Sequence, residues 1–285
     1  MSDRLADVEA RIHTVQQLSV VITAMRGIAA ARVREASESL EAVRAFAATI
    51  AATIGEALAF LPAGEEPAAA PPRSESHTIV ALLTEQGFVG TFNEHVLDAV
   101  AATRRQPGPG ATRLFLAGSR GQTAAAGRNL APEWTTAMIS HPADAPALAD
   151  RLAGALFGGE RGPGRVTLIH GTPDHNGVRI VVRDLLPFDF GRFPPAHPAL
   201  PPRTSLTPRA LMAALAEEYV FAELTEATVL SFAAENEARM RAMVAARSNV
   251  SATFDTLTAR ARQVRQEEIT TELGELAAGV LSAQP

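Results

Sequence analysis

The last stretch of the chain, residues 209–284, constrains the fold most, because it contains no proline and only two glycines, Gly274 and Gly279. Its apolar residues recur at alternating steps of three and four, the spacing of a coiled-coil seam, with an interruption at Arg247. The seam residues are Met240, Met243, Val250, Phe254, Leu257, Ala261 and Val264. At about 1.5 Å per residue, one unbroken helix of this length would reach roughly 110 Å, so another segment must lie alongside it.

The first stretch, residues 2–61, supplies that partner, because it also lacks proline and repeats apolar residues in heptads. One seam position holds Leu5, Ile12, Val33, Leu40, Ala47, Ile54 and Leu61, and the other holds Val8, Val15, Ile22, Ala29, Ala36, Val43, Ile50 and Ala57. Only Ser19 and Arg26 interrupt the pattern. A period of about 3.5 held this long favours a coiled coil over an isolated helix. We predict that the two ends pair as an antiparallel coiled coil; the alternative is two separate surface helices.

Proline and glycine mark out the middle of the chain. Of the 19 prolines, 18 lie between Pro62 and Pro208, as do 16 of the 20 glycines. We therefore predict an N-terminal coiled-coil helix (1–61), a linker (62–76), an α/β domain (77–207) and a C-terminal coiled-coil helix (208–285).

Strand and helix signals alternate within the middle domain. Strands are predicted at 77–83, 112–117, 134–139, 165–170 and 178–186, and helices at 93–103 and from an Asp144 cap to about 156. The segment from Gly118 to Gly121 is predicted to be a polar turn, and Asn176-Gly177 indicates a hairpin. This order predicts a small domain with a mostly parallel sheet.

Composition excludes several classes of protein. The chain has no cysteine, which excludes disulfides and cysteine metal sites, and its 26 basic residues are all arginines. The net charge of -5 argues against a nucleic-acid binder. No uninterrupted apolar run reaches about twenty residues, and the chain opens with an acidic helix, so we predict neither a secretion signal nor a membrane span.

The middle domain offers weak candidates for chemistry. Gly87-Phe88-Val89-Gly90 follows a strand and precedes a helix, the place of a phosphate loop, but it lacks the third glycine of a dinucleotide site and the lysine of a P-loop. Ser119 lacks the spacing of a nucleophile elbow. The seven histidines show no pair spaced for a metal on one helix face. We predict no catalytic residue, no cofactor and no metal.

The C-terminal helix carries a run of positive charge beside its seam. Its members are Arg239, Arg241, Arg247, Arg260, Arg262 and Arg265. Such a belt could steer past acidic loops of a partner, although surface solvation explains the same charges. Apolar residues continue from Ile269 to Leu281, beyond the reach of the shorter first helix, so we expect another protein to cover this end.

The terminal segment, residues 269–282, closely resembles the C-terminal signature of the γ subunit of rotary F-type ATP synthases, with Val280 in place of the family's usual alanine. Three further segments agree in order and spacing: residues 23–34 resemble the family's first helix, 83–93 its first strand and glycine turn, and 235–243 its last helix. The resemblance covers essentially the whole chain.

The resemblance implies a non-catalytic rotor subunit: an antiparallel coiled coil of the two termini with an inserted Rossmann-like α/β domain that binds no nucleotide. The C-terminal tip would lie inside a hexamer of three α and three β subunits, and the α/β domain would bear on ε and the membrane c-ring. Arg265, Gln266 and Thr270 match positions that contact the β-subunit catch loops, and Met25 with Arg26 faces the acidic β lever. The implied location is peripheral, on the cytoplasmic face of a bacterial inner membrane, without insertion.

Departures from the family suggest a divergent branch. Gly27 stands where the family usually has a large apolar residue, which costs about 1 kcal/mol of helix propensity. Arginine replaces the usual lysines, and one hypothesis is a sodium-pumping ATPase of this type. Two other functions remain open at this point: a nucleotide-dependent enzyme that uses Gly87 and Gly90, and a coiled-coil scaffold unrelated to ATPases.

Overall fold

The computed structural model describes residues 2–61, 75–106, 110–158, 164–196 and 204–282. In chain order the elements are α1 (Ser2–Ala59), β1 (His77–Leu82), α2 (Phe92–Arg104), β2 (Thr112–Ala117), α3 (Ser119–Ala126), β3 (Trp134–Thr136), α4 (Ala145–Phe157), β4 (Arg165–Asp174), β5 (Gly177–Leu186) and α5 (Pro208–Ser282). Nearly all of the predicted linker, 62–76, lies outside the described residues.

By its internal contacts the chain divides into two compact units. The terminal unit consists of Met1–Ile28 and Met240–Pro285, and the sheet unit consists of Ala29–Arg239. Each long helix contributes residues to both units, so this division does not follow helix ends as the predicted four-part division does. The four-part division stays a prediction.

Helices α1 and α5 run antiparallel in both units. In the terminal unit Arg265 Nη2 lies 2.8 Å from Glu9 Oε1, and in the sheet unit Arg44 Nε lies 2.8 Å from Glu226 Oε1. Every seam residue predicted in α1 is buried or partly buried, and so are the interrupting residues Ser19 and Arg26. The predicted seam of α5 is likewise buried or partly buried, with Arg247 exposed. The 3.5-residue period therefore located the contact faces of both helices.

The α/β part is a five-stranded sheet in the order β3-β2-β1-β4-β5. The pairs of β1 with β2, β1 with β4, and β2 with β3 are parallel, whereas β4 and β5 form an antiparallel hairpin. The predicted mostly parallel sheet and the hairpin are confirmed. The hairpin turns through two residues, His175 and Asn176, between the paired Asp174 and Gly177.

Strand β1 is buried on both faces, so alternate residues enter different cores. Val80 and Leu82 join one core with α4, the second half of α1 and the first half of α5. Ile79 and Ala81 join another with α2 and α3. The large buried side chains of these cores include Ile54, Phe115, Leu148 and Phe232. Burying each such side chain stabilises the fold by about 1.5–3 kcal/mol.

Three local predictions need correction. The predicted turn from Gly118 to Gly121 opens helix α3, because the Glu85 carboxylate accepts a hydrogen bond from the first helical amide, Ser119 N, at 3.0 Å. The third strand stops at Thr136, since Met138 N turns to donate to Glu85 at 2.8 Å. Asp144 precedes α4, but its side chain makes no capping hydrogen bond.

The composition of helix α1 differs from what the predicted absence of a membrane span assumed. The segment Arg4–Ala59 is long and apolar enough, by length and composition alone, to cross a membrane. The sequence has no long uninterrupted apolar run. The mean hydropathy of a window of α1 is nevertheless high, because alanines lie between the seam residues. The heptad burial pattern of α1 accounts for its seam residues, whereas Leu18, Val20, Val21 and Ile28 are exposed apolar side chains outside the seam. One helix of this composition is by itself weak evidence for a membrane span.

Candidate functional site

The loop after β1 is the candidate phosphate loop, and in the structure it binds α5. The amides of Glu85 and Gln86 donate to the Glu235 carboxylate at 3.2 and 3.3 Å. Arg239 Nε donates to the Gly87 carbonyl at 3.2 Å. The loop thus presents its amides to a carboxylate of its own chain.

Glu235 and Arg239 form a buried ion pair behind this loop. Arg239 Nη2 lies 2.6 Å from Glu235 Oε1, and each residue is 4% exposed. Arg239 Nη1 also donates to Asn236 Oδ1 at 2.9 Å, so the guanidinium has three acceptors. Burial raises the pKa of Glu235, while the hydrogen bond and charge of Arg239 and the two loop amides oppose the rise. We name Glu235, Arg239 and the loop backbone at 85–87 the loop clamp.

A second carboxylate, that of Glu85, lies at the amino end of α3. Glu85 accepts from Ser119 N at 3.0 Å, from Ser119 Oγ at 2.7 Å and from Met138 N at 2.8 Å. The amino end of a helix after a parallel strand is where Rossmann folds bind phosphate. Here Glu85 supplies the negative charge, and the Ser119 hydroxyl is engaged by an acid and has no histidine among its described partners.

Helix α5 also covers the point where the strand order reverses, between β1 and β4. Ser231 Oγ donates to the Leu82 carbonyl at 3.4 Å. A Cβ added to Gly171 of β4 would come within 3.0 Å of the Ala234 Cβ. Open α/β sheets bind ligands at this reversal point. In this chain α5 occupies it, which argues against a nucleotide site at this point.

We expect calorimetric titration of the full-length chain with ATP or NAD to release no binding heat. The amides that would bind a phosphate already donate to Glu85 and Glu235, and a phosphate would have to displace these carboxylates from them. A known nucleotide-binding protein, titrated under the same conditions, is the positive control. Micromolar binding by this chain would restore the enzyme hypothesis.

The five residues predicted to contact a partner lie in the terminal unit in two groups. Arg265 and Gln266 are exposed on α5, and Thr270 Oγ1 donates to the Gln266 carbonyl at 2.8 Å. Met25 and Arg26 are partly buried on α1. Because Arg265 pairs with Glu9, sixteen residues before Met25, the two groups lie about 24 Å apart along the helices. The structure therefore presents two separate surfaces.

The predicted basic belt begins later than the sequence suggested. Arg239 is buried in the loop clamp, whereas Arg241, Arg247, Arg260, Arg262 and Arg265 are exposed. Sequence reasoning missed the clamp, because Glu85 and Glu235 are 150 residues apart along the chain. The signal that could have found it is the spacing of four between Glu235 and Arg239, which places the two side chains on one face of the helix. Ile269 and Leu273 are 52% and 61% exposed, as expected of an uncovered end.

Among the described residues no cluster of histidine and acidic side chains could hold a metal ion. Two buried histidines are engaged within the sheet: His77 Nε2 lies 2.8 Å from Thr167 Oγ1, and His170 Nδ1 lies 2.9 Å from the Gly171 carbonyl. Burial lowers the pKa of both imidazoles. Their contacts are those of neutral structural side chains.

A family model described as ATP synthase matches residues 4–282. The chain is 28% identical over 296 residues to the ATP synthase gamma chain of Parafrankia sp., covering 98% of this chain and 97% of the relative. It is 27% identical to the ATP synthase gamma chain of Solibacter usitatus, covering 98% and 99%.

Two solved structures have a similar fold. The chain matches one from the Euglena gracilis mitochondrial ATP synthase OSCP/F1/c-ring with a TM-score of 0.70 and 12% identity, covering 99% of this chain and 95% of the other. It matches one from the rotor of the same synthase with a TM-score of 0.65 and 11% identity, covering 94% and 100%. At this identity the likeness concerns the arrangement of helices and sheet.

Proposed function

The chain belongs to the ATP synthase family, whose model spans residues 4–282, and from this membership we propose that it is the central-stalk rotor subunit of a rotary ATP synthase. Its partners are three α and three β subunits, ε and the membrane c-ring. The chain couples ion flow through the ring to ATP synthesis or hydrolysis by favouring a different conformation of each β subunit as it turns. It performs no catalysis itself.

The observation that carries this proposal is the antiparallel pairing of α1 with α5 along one heptad seam, with an α/β sheet inserted between the two helices. The sheet's ligand positions are filled by Glu85, Glu235 and α5, which fits a mechanical role better than a chemical one. A scaffold without ATPase partners would share the seam, but it would have no reason to match the ATP synthase family from residue 4 to residue 282.

As a subunit of a membrane ATP synthase complex, the chain is a peripheral component. We place it on the cytoplasmic face of a bacterial inner membrane, which is supported by gamma-chain relatives from bacteria. The transported ion stays a prediction, because the membrane ring chooses it. Sodium remains a hypothesis.

The proposal is tested by expressing the chain with the α and β subunits of the same genome. We expect the three to copurify as a complex that hydrolyses ATP, and a bead fixed to the sheet unit to rotate in one direction during hydrolysis. Deleting residues 269–285 should weaken assembly or coupling. A complex whose ATPase activity and ion coupling are unchanged by the deletion would contradict the rotor role.

Within this proposal, Arg265, Gln266 and Thr270 contact the β catch loops, and Met25 with Arg26 faces the acidic β lever. We expect the triple alanine variant at the first three positions to lower coupled ATP synthesis about tenfold, because charge-assisted hydrogen bonds to a partner are lost. Stability should change little, since the Arg265–Glu9 pair is exposed and such pairs contribute about 0–1 kcal/mol.

The matched control for the triple variant is Arg262→Ala, which removes an exposed arginine from the same helix. Coupled synthesis is measured in membrane vesicles that contain the assembled complex, and stability by urea unfolding of the chain. Equal synthesis by the triple variant and the control would remove these residues from the interface.

A further inference from the structure

An open-sided cavity of about 650 Å³ lies between α1 and α5 within the terminal unit, and all of its lining residues are exposed or partly buried. Its lining residues are Val15, Gln16, Ser19, Val20, Thr23 and Ala24 from α1 and Arg247, Val250, Ser251 and Phe254 from α5. Small-molecule sites in proteins usually measure about 300–1,000 Å³. The cavity therefore has the size of a ligand site.

Both heptad patterns are interrupted within the stretches that line the cavity. Ser19 places a small side chain at a seam position of α1. Arg247 interrupts the seam of α5, and because its side chain is exposed it leaves its own seam position unfilled. Buried seam residues of α5 lie on both sides of the cavity, Met243 on one side and Ala261 on the other.

The lining combines apolar walls with one positive charge. Val15, Val250 and Phe254 are partly buried beside the gap. Arg247 is the charged residue of the lining, and it has no ion pair within the part of the chain that the structure describes. Ser19, Thr23 and Ser251 add hydroxyl groups. A ligand that matches these surfaces has an apolar body and one anionic group.

We propose that this cavity binds a small amphipathic anion of the fatty-acid class. The carboxylate pairs with the Arg247 guanidinium, whose planar fork suits a carboxylate. The alkyl chain lies between Val15, Val250 and Phe254, where it removes apolar surface from water. The site belongs to the terminal unit alone and does not depend on the proposed rotor function.

The test uses the full-length chain and the fluorescent probe 11-(dansylamino)undecanoic acid. We expect saturable binding at one site. Ser19→Leu fills the cavity from α1 and Ser251→Leu fills it from α5, and each should weaken binding by more than about tenfold, since an overfilled site excludes the chain of the probe. Circular dichroism checks that each variant keeps its helix content. Because the two substitutions lie on different helices, one variant still tests the proposal if the other misfolds.

The charge is tested separately. Arg247→Gln should weaken binding of the acid about fivefold, the range of an exposed ion pair, while the methyl ester of the probe binds wild type and this variant equally. Arg262→Gln is the matched control, because it removes one exposed positive charge from the same helix outside the cavity. A wild-type chain that does not bind the probe saturably, or filling variants that bind it as wild type does, would overturn the proposal.

Discussion

Replacing Arg239 with methionine is expected to lower the free energy of unfolding by about 3–5 kcal/mol, because the buried Glu235 charge loses its partner. The ion pair spans 2.6 Å, and both residues are 4% exposed. The same substitution frees the Gly87 carbonyl, which loses its donor. Urea unfolding of the full-length chain at about pH 7 measures the loss. The loss would be large, because the free energy of unfolding of a folded protein is only about 5–15 kcal/mol.

The control for this variant is Arg262→Met on the same helix. Arg262 is exposed, so we expect a change within about 0.5 kcal/mol. Equal losses in the two variants would mean that the loop clamp contributes nothing specific to stability.

The loss from Arg239→Met should depend on pH. Burial raises the pKa of Glu235 in the folded chain, so the folded state keeps this proton to higher pH than the unfolded state does. The contribution of Glu235 to stability is therefore full below its ordinary pKa and falls as pH rises toward the folded value. The positive charge of Arg239 lowers the pKa of Glu235, so removing Arg239 raises that pKa further. We expect a smaller loss at about pH 5 than at about pH 8.

The double variant Glu235→Gln, Arg239→Met separates this titration from other groups. It carries no acid at position 235, so the pH dependence assigned to Glu235 should disappear from its unfolding curves. A double variant with the same pH dependence as Arg239→Met would show that another group titrates.

Replacing Ala36 with glutamate is expected to cost about 3–5 kcal/mol, since it would bury an unpaired charge. Ala36 is fully buried in the core that α1 shares with α5 and the sheet. Ala42→Glu is the control, because Ala42 lies six residues later on the exposed side of the same helix. We expect the control to stay within about 0.5 kcal/mol of wild type.

Urea unfolding followed by circular dichroism measures both glutamate variants. A large loss confined to Ala36→Glu would verify the seam register in the sheet unit. Comparable stability of the two variants would show that α1 does not bury this face, and the coiled coil would have to be reassigned.

The sequence predicted the long helices and their contact faces because a heptad repeat is a local pattern repeated many times. Each seam residue from Leu5 to Leu61 marks the same face, so single exceptions such as Ser19 do not obscure it. Strands β1 and β2 were equally accessible to prediction, because short apolar runs of β-branched and large residues between turn signals favour buried strands.

Helix α3 was missed because the interactions that form it are not local. Its first amide is satisfied by Glu85, 34 residues earlier, and Gly121 is required because an added Cβ would lie 2.1 Å from the Leu83 Cβ. Two glycines in four residues read as a turn when these neighbours are unknown. The loop clamp was missed for the same reason. The interruptions at Ser19 and Arg247 were visible in the sequence, but only the structure shows that both residues line one cavity.

Glu85 and Glu235 also have a mechanical consequence. Both carboxylates belong to the chain itself and accept hydrogen bonds from backbone amides of other segments, so neither can diffuse away as a bound ligand could. They tie the loop after β1 to α5 and to the start of α3, and this connection does not depend on the concentration of any ligand.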